Sequence, residues 1–196
     1  MKFLKLGACV AVFFATFVVL FQFVYRPWQA TWGANEEEVT RPMVGDEIVK
    51  DPTFDATRAV TVHATPQEIW PWIVQMGYRR AGFYSYDVLD NDGIASAEHI
   101  ISEYQGLKVG HQIPVSRKSA VDVAALEVNR HLLLVFRSRV PATWAWGLYP
   151  LDGERTRLVS RLRVRSESLI GRVFMDAFEI IMMRKCLLGI KRRAER

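Results

Sequence analysis

The first part of the chain is almost entirely apolar. Residues 6–25 contain no charged side chain, and only Thr16 and Gln22 are clearly polar. A helix of about twenty residues rises roughly 30 Å, which matches the hydrocarbon thickness of a bilayer. The pattern therefore predicts a transmembrane helix over residues 6–26, after a short tail at residues 1–5. A cleaved signal peptide fits less well, because bulky residues follow the apolar stretch where a cleavage site requires small ones.

Charges on the two sides of this segment predict its orientation. Lys2 and Lys5 precede it, whereas Arg26 and the acidic residues 36–38 follow it. The positive-inside rule counts lysine and arginine near the ends of a span, so it favours an N-terminus in the cytoplasm. We therefore expect a single-pass membrane protein whose folded domain lies on the outer side.

The pattern changes twice beyond the apolar segment. Residues 27–52 mix Pro, Gly, Asn and acidic residues without a sustained period, which predicts a tether with little structure of its own. Residues 53–196 carry the alternating and helical patterns of one folded domain. A domain of about 150 residues can bury a core without disulfides, and none is predicted between Cys9 and Cys186.

The domain is predicted to begin with a strand and a short helix. Residues 57–63 alternate in polarity, as a half-buried strand does. Thr65 and Glu68 have the spacing of a capping box, with proline at the first helical position, so a helix is predicted to start here. It is expected to end at Gly77 and to kink at Pro71, where one backbone hydrogen bond is lost.

An antiparallel meander is predicted for the middle of the domain. Turn residues separate four apolar or alternating segments, and consecutive strands with short links are usually neighbours in a sheet. The predicted strands lie at residues 121–128, 132–138, 143–149 and 155–165, after a loop region at residues 78–114.

The last segment, residues 168–193, is the longest helical candidate, and we expect its apolar face to lie on the sheet. Apolar residues recur there at helical spacing, and charged residues share the opposite face. The apolar set is Ile170, Val173, Phe174, Ala177, Ile180, Ile181 and Leu188, and the charged set is Arg172, Asp176 and Glu179. The charges along this segment are too closely spaced for a second membrane span.

The net charge of +5 does not by itself identify a partner. No nucleic-acid-binding motif or aromatic platform accompanies the basic residues, so nucleic acid is not an expected partner. Four arginines alternate with less polar residues along one predicted strand and therefore share one sheet face. We expect them to be solvated there, the alternative being that one binds an anionic headgroup or a phosphate. They are Arg157, Arg161, Arg163 and Arg165.

Residue types that hold metals and cofactors do not occur at the required spacings. Residues 90–93 (DNDG) resemble part of a calcium loop, but the first and twelfth ligand positions fall on Val88 and His99. The four histidines are scattered, so no metal site is predicted. Phosphate-binding glycine loops and nucleophile-elbow motifs are absent from the sequence, and no cofactor is expected.

Four sequence stretches, together with the predicted order of elements, carry a resemblance to a known family. They are IWPWIVQMG at 69–77, GFYSYD at 82–87, TWAWGLYP at 143–150 and TRLVSRLRV at 156–164. Over residues 55–190 the chain resembles the START-like superfamily, also called SRPBCC or polyketide cyclase/dehydrase-like, in a membrane-anchored bacterial subgroup. The resemblance implies an α+β helix-grip fold, in which a curved antiparallel sheet wraps a long C-terminal helix around an apolar cavity. It also implies the bacterial inner membrane as the location.

The implied cavity yields candidate ligand-binding residues, all of them large and mostly apolar. They are Trp72, Met76, Phe83, Tyr84, Tyr86, Phe136, Trp144, Trp146, Phe174 and Phe178. The expected partner is an apolar small molecule or a lipid. Asp87 and Tyr86 are the candidate acid/base groups if the cavity is catalytic, the alternative being that Asp87 caps the next short helix.

Three functions are open at this point. The first is membrane-tethered binding of an apolar small molecule or lipid. The second is a cyclase or dehydratase type of enzyme that uses an acid/base group in the same cavity. The third is a structural or protein-interaction module with a filled core. A cavity on the order of several hundred Å³ would favour the first two.

Overall fold

The computed structural model describes residues 2–196, with side chains at residue 9 and from residue 12 onward. Met1 of the predicted tail, and several side chains of the predicted transmembrane segment, lie outside the described part. The helix α1 (Lys2–Leu20) continues through a π-helical segment (Phe21–Tyr25) into α2 (Arg26–Ala30), because the backbone stays right-handed helical at both junctions. Among the residues that the structure describes, no helix has the length and apolar character needed to cross a membrane.

Six antiparallel strands form a single sheet. They are β1 (Phe54–Val62), β2 (Gln112–Pro114), β3 (Ala120–Glu127), β4 (His131–Phe136), β5 (Ala142–Pro150) and β6 (Thr156–Val164). Their order is β1-β6-β5-β4-β3-β2, so β2 to β6 form a meander and β1 pairs with β6. The predicted four-strand meander is confirmed, and β2 is an additional strand inside the predicted loop region.

Five further helical elements complete the fold. They are α3 (Glu36–Thr40), α4 (Pro66–Val74), α5 (Asp87–Asp90), a 3-10 turn (Ser102–Tyr104) and the long α6 (Leu169–Ala194). The second half of α6 buries Met183, Leu187 and Ile190 in the same core cluster as Trp146 and Leu158 of the sheet. A curved antiparallel sheet with a long C-terminal helix on it is the helix-grip form of an α+β fold, as predicted.

The helix α4 starts as its sequence predicts. The Glu68 carboxylate accepts hydrogen bonds from the backbone N–H of Thr65 at 2.7 Å and from its hydroxyl at 2.8 Å. The helix ends at Val74, before the predicted Gly77, and contains Pro71. Ile69 and Ile73 on its inner face are fully buried, so α4 closes one end of the core.

The helix α6 passes very close to the loop that precedes α5. At Gly189 an added Cβ atom would lie 2.3 Å from the backbone oxygen of Tyr84, closer than two such atoms can approach. Only a residue without a side chain fits this crossing. The loop is thereby held against α6 beside the pocket described below.

The expectation that residues 27–52 have little structure is wrong. Besides α2 and α3, this segment buries the side chains of Gln29, Glu38, Met43 and Val49. Met43 packs in a cluster with residues on the outer face of the sheet. The segment therefore covers that face.

The three arginines of this face that lie within β6 are consequently not solvated, contrary to the prediction, whereas Arg165 just beyond the strand is exposed as predicted. Arg161 is only 5% exposed and donates to the backbone oxygens of Glu38 at 2.9 Å and Val39 at 2.8 Å. Arg157 forms an ion pair of 2.6 Å with the Glu38 carboxylate. A guanidinium group has five donors, and here they satisfy carbonyl groups in the last turn of α3, which have no partner within that short helix.

The predicted orientation of α6 is also wrong over its first half. Most of its apolar residues there are exposed, although Ile180 is buried as predicted, whereas Asp176 and Glu179 turn inward and pair with Arg26 and Arg58. The exposed residues of this half are Leu169, Ile170, Val173, Phe174, Phe178 and Ile181, and Leu188 in the second half is exposed as well. Arg58 on β1 is 1% exposed, and a buried charge requires a partner of opposite sign. This requirement fixes which face of α6 points inward.

Candidate functional site

A pocket of about 200 Å³ lies between α6, the strands β4 to β6 and the loop that leads into α5. Most of its wall is apolar, and it is open on one side. The residues that line it are Phe83, Ser85, Asp90, Val115, Phe136, Trp144, Leu162, Glu179, Met182, Met183 and Cys186. This is the place where the resemblance implied a cavity.

The strands supply one wall of the pocket through their alternating side chains. Trp144 on β5 lies opposite Leu162 on β6 in the sheet register, so both side chains point to the same face. The indole Nε1 of Trp144 donates to the Ser160 hydroxyl at 2.8 Å, which satisfies its polar atom and fixes the ring. The ring of Phe83 packs against Trp144 with centroids 6.3 Å apart. The wall is therefore rigid and aromatic.

The helix α6 supplies a softer wall. Met182 and Met183 are both flexible thioether side chains that adapt to irregular spaces. Cys186 is fully buried next to them, and burial raises the pKa of its thiol. A protonated thiol is a poor nucleophile, so Cys186 contributes to packing and not to covalent chemistry.

An ion pair closes the pocket at Glu179. Arg58 donates to the Glu179 carboxylate, and it also donates to the backbone oxygen and the side-chain oxygen of Gln29, each at 2.6 Å. Gln29 lies in α2, Arg58 in β1 and Glu179 in α6. The pair therefore joins three elements at one side of the pocket.

Asp90 is the second carboxyl group in the wall. Its Oδ1 atom is buried, and no hydrogen-bond partner for it occurs in the part of the chain that the structure describes. Burial, with a smaller contribution from the nearby Asp87 carboxylate, raises the pKa of Asp90 to about 6. The group can therefore exchange a proton near neutral pH.

The structure brings three of the predicted ligand-binding residues to the pocket wall and places the others elsewhere. Phe83, Phe136 and Trp144 line it. Four others lie in the buried core away from the lining, namely Trp72, Met76, Tyr84 and Trp146. Three are exposed at the surface, namely Tyr86, Phe174 and Phe178.

The predicted acid/base groups have structural contacts. The Asp87 carboxylate accepts from the Ser96 backbone N–H at 3.1 Å and from the Ser96 hydroxyl at 2.5 Å. Asp87 is thus the first residue of α5 and not its cap, and it holds the loop after the helix. The ring of Tyr86 lies 3.7 Å from the Lys185 ammonium on the surface. Neither residue lines the pocket.

Sequence reasoning missed the polar residues of the pocket. From the sequence, Asp90 has no predicted role beyond its place in the DNDG stretch, and Glu179 is predicted on the charged face of α6 that points away from the sheet. One pattern could have identified Asp90, because it follows Asp87 by three residues and so lies on the same helical face beside the GFYSYD stretch. In the described part of the chain, no group of three or more His, Cys, Asp or Glu residues could hold a metal ion.

Comparisons with known proteins give distant structural neighbours. No protein-family model matches the chain, and no curated protein matches it. A polyketide-cyclase-like protein from Corynebacterium glutamicum is 16% identical with a TM-score of 0.40, over 74% of this chain and 92% of its own. A START superfamily protein from Mycobacterium smegmatis is 14% identical with a TM-score of 0.44, over 72% of this chain and 97% of its own. A protein from Nitrosospira multiformis is 13% identical with a TM-score of 0.48, over 70% of this chain and 94% of its own. The helix-grip fold is assigned from this chain's own strand order and the position of α6.

Proposed function

We propose that this protein binds an apolar small molecule or lipid in the pocket between α6 and the sheet. The observation that carries the proposal is an open pocket in the core whose wall is mostly apolar, with a few polar groups at defined positions. Ligand sites commonly combine an apolar wall with a small number of polar groups that orient the ligand.

The size of the pocket bears on the kind of ligand. Its volume of about 200 Å³ is below the roughly 300–1,000 Å³ of sites for drug-sized molecules. Rotation of Met182 and Met183 would enlarge it, because methionine has three rotatable side-chain bonds. The proposal is therefore for a small apolar molecule, or one chain of a lipid. A third possibility, a module with a filled core, is not favoured because this space is open.

Filling the pocket tests the proposal. The full chain in amphipol is titrated with the neutral dye N-phenyl-1-naphthylamine, and its co-purified lipids are extracted for mass spectrometry. The variant Met182→Trp places a large ring in the pocket and should weaken dye binding at least about tenfold, which corresponds to about 1.4 kcal/mol. Ile181→Trp is the matched control, because Ile181 is the preceding residue of α6 and is 47% exposed. Equal losses in both variants, or no dye binding by the unchanged protein, would contradict the proposal.

We also propose that α1 anchors the protein in a membrane, with the folded domain on the outer side of a bacterial inner membrane. Two groups of exposed apolar side chains support this. The first lies on α1 and the π-helical segment: Val12, Phe13, Phe14, Phe17, Val18, Val19, Leu20, Phe23 and Val24. The second lies on the first half of α6: Leu169, Ile170, Val173, Phe174 and Phe178. Groups of exposed large apolar side chains such as these mark contact with a membrane or a partner.

Carbonate extraction of membranes tests the anchor. The full chain should stay in the membrane pellet, and the double variant Phe14→Lys, Phe17→Lys should move to the supernatant because two charges in hydrocarbon are costly. The control double variant Val88→Lys, Leu89→Lys adds the same charge at exposed apolar positions on α5 and should stay in the pellet. Protease added to spheroplasts should digest the domain. Release of the unchanged chain by carbonate would refute the anchor, and protection from protease would refute its orientation.

A cyclase or dehydratase activity in the same pocket is the second candidate, and the position of Asp90 favours it. This carboxyl group lies in the wall and has a pKa of about 6, which suits proton transfer near neutral pH. Asp90 thus replaces Asp87 as the candidate acid/base group. Mass spectrometry of the extracted ligand before and after incubation tests the activity: a conversion that Asp90→Asn abolishes would support it, and an unchanged ligand would refute it.

A further inference from the structure

Asp90 carries an unpaired hydrogen-bond acceptor in the wall of the pocket. Its Oδ1 atom is inaccessible to solvent and lacks a partner within the described residues. Buried polar atoms in folded proteins almost always have one. A turn of the Asp90 carboxyl group about its soft terminal side-chain bond would bring this unpaired acceptor to the pocket that the residue lines, where a bound molecule could complete the hydrogen bond.

The other polar groups of the wall already have partners. The Ser85 hydroxyl has one hydrogen and donates it to the backbone oxygen of Met182 at 3.0 Å. The carboxylate of Glu179 accepts from Arg58. Among the lining residues, all of which the structure describes, Asp90 thus carries the buried carboxyl oxygen that has no hydrogen-bond partner.

The charge of the wall restricts what can bind. Two carboxyl groups, those of Asp90 and Glu179, lie among the lining residues, and that lining contains no Lys, Arg or His. Arg58 reaches the pocket only through Glu179, which it neutralises. Lys185 lies outside the lining, with its ammonium over the Tyr86 ring. A carboxylate or phosphate would therefore enter without a cation to pair with and close to the Asp90 carboxylate.

We propose that the pocket selects apolar molecules whose polar end is a hydrogen-bond donor, an alcohol or a protonated amine, and that Asp90 accepts this hydrogen bond. The proposal rests on the proposed ligand-binding function and names the ligand class of that same pocket. It excludes fatty acids and phosphate-headed lipids bound by their headgroup in this pocket.

Three probes of equal chain length test the proposal. Octanol, octylamine and octanoate compete with N-phenyl-1-naphthylamine for the full chain in amphipol at neutral pH, with protein-free amphipol as the partitioning blank. We expect octanol and octylamine to displace the dye at concentrations at least tenfold lower than octanoate. Dye binding in which octanoate competes as well as the other two would overturn the assignment of the ligand class while leaving the proposed binding function intact. Absence of any dye binding would overturn both.

A charge-matched pair of variants attributes the selectivity to Asp90. Asp90→Asn keeps the size of the side chain and should reduce the preference over octanoate to less than threefold. Glu103→Gln removes one negative charge at an exposed position on the 3-10 turn and should keep the preference. An undiminished preference in Asp90→Asn would overturn the role of Asp90. If Asp90→Asn fails to fold, the probe selectivity of the unchanged protein still decides the ligand class.

Discussion

Replacing Arg161 by methionine should destabilise the protein far more than the same change at a neighbouring arginine. Arg161 is 5% exposed, and its guanidinium group joins β6 to β1 and to residues 38–46. Two of its hydrogen bonds are fully buried, one of 2.8 Å to the Thr57 hydroxyl and one of 2.9 Å to the Glu38 backbone oxygen. Methionine fills similar space but donates no hydrogen bond, so both acceptors would be left unpaired.

The expected loss follows from those two bonds. A hydrogen bond from a charged donor contributes about 1.5–3 kcal/mol, so two of them give about 3–6 kcal/mol. The ion pair with Asp46 is more exposed and adds less. A loss of about 3–6 kcal/mol is a large part of the roughly 5–15 kcal/mol by which a domain is stable. At a urea slope of about 2 kcal/mol per molar, the unfolding midpoint should fall by about 1.5–3 M.

Urea unfolding followed by tryptophan fluorescence measures this loss, and Arg165→Met is the matched control. Arg165 projects from the same face just beyond β6, is exposed, and makes one bond of 3.3 Å to the Lys50 backbone oxygen. Its replacement should change the unfolding free energy by less than about 0.5 kcal/mol. Hydrogen exchange in α3 should accelerate only in Arg161→Met. Similar midpoints for the two variants would refute the idea that Arg161 holds residues 27–52 on the sheet.

Three further changes test other parts of the structure. Glu179→Ala leaves the buried Arg58 without its ion-pair partner and should lower the unfolding free energy by about 3–5 kcal/mol. Adding Arg58→Met should recover most of this loss in thermal and urea unfolding. No recovery would argue against a buried ion pair. Burial raises the pKa of Asp90 from 3.8 to about 6, in surroundings that include Asp87, Glu179, Cys186 and Lys185. The native state therefore holds this proton more tightly than the unfolded chain, and the contribution of Asp90 to stability is full below about pH 4 and is lost as the pH rises through about 6. Asp90→Asn should accordingly gain stability relative to the unchanged protein between those pH values, and a pH-independent difference in urea midpoints would contradict the raised pKa. Gly189→Ala should cost about 1–3 kcal/mol because its Cβ atom meets the Tyr84 backbone oxygen, and a neutral effect in the same assay would show that the crossing is looser than described.

The sequence predicted those elements whose signals are local. The capping box at Thr65 and Glu68 involves atoms three residues apart, so α4 could be located without knowledge of the fold. Turn residues between apolar or alternating segments likewise identified β3 to β6, because these signals lie within each strand and its flanking turns. Both signals depend only on short stretches of chain.

Long-range pairing decided the features that were predicted wrongly. The helix α6 carries apolar residues on two faces, one with Phe174 and Ile181 and one with Met183 and Leu187. Periodicity cannot choose between two such faces, and the choice here depends on Arg58, which is 121 residues from its partner Glu179. In the same way, the burial of Arg161 depends on carbonyl groups of a segment more than a hundred residues earlier. The residues of the candidate site were predicted least well, because its polar residues lie where these long-range contacts meet.

The joint between the N-terminal helices and α6 has a mechanical consequence. The Tyr25 hydroxyl donates to the backbone oxygen of Ala177 at 2.7 Å, and Arg26 pairs with Asp176 at 2.9 Å. One turn further on, Gln29 holds Arg58, which holds Glu179 in the pocket wall. The domain is consequently held to the N-terminal helices by fixed contacts and not by a flexible linker. A change in the tilt of α1 would therefore be transmitted through these contacts to the residues that line the pocket.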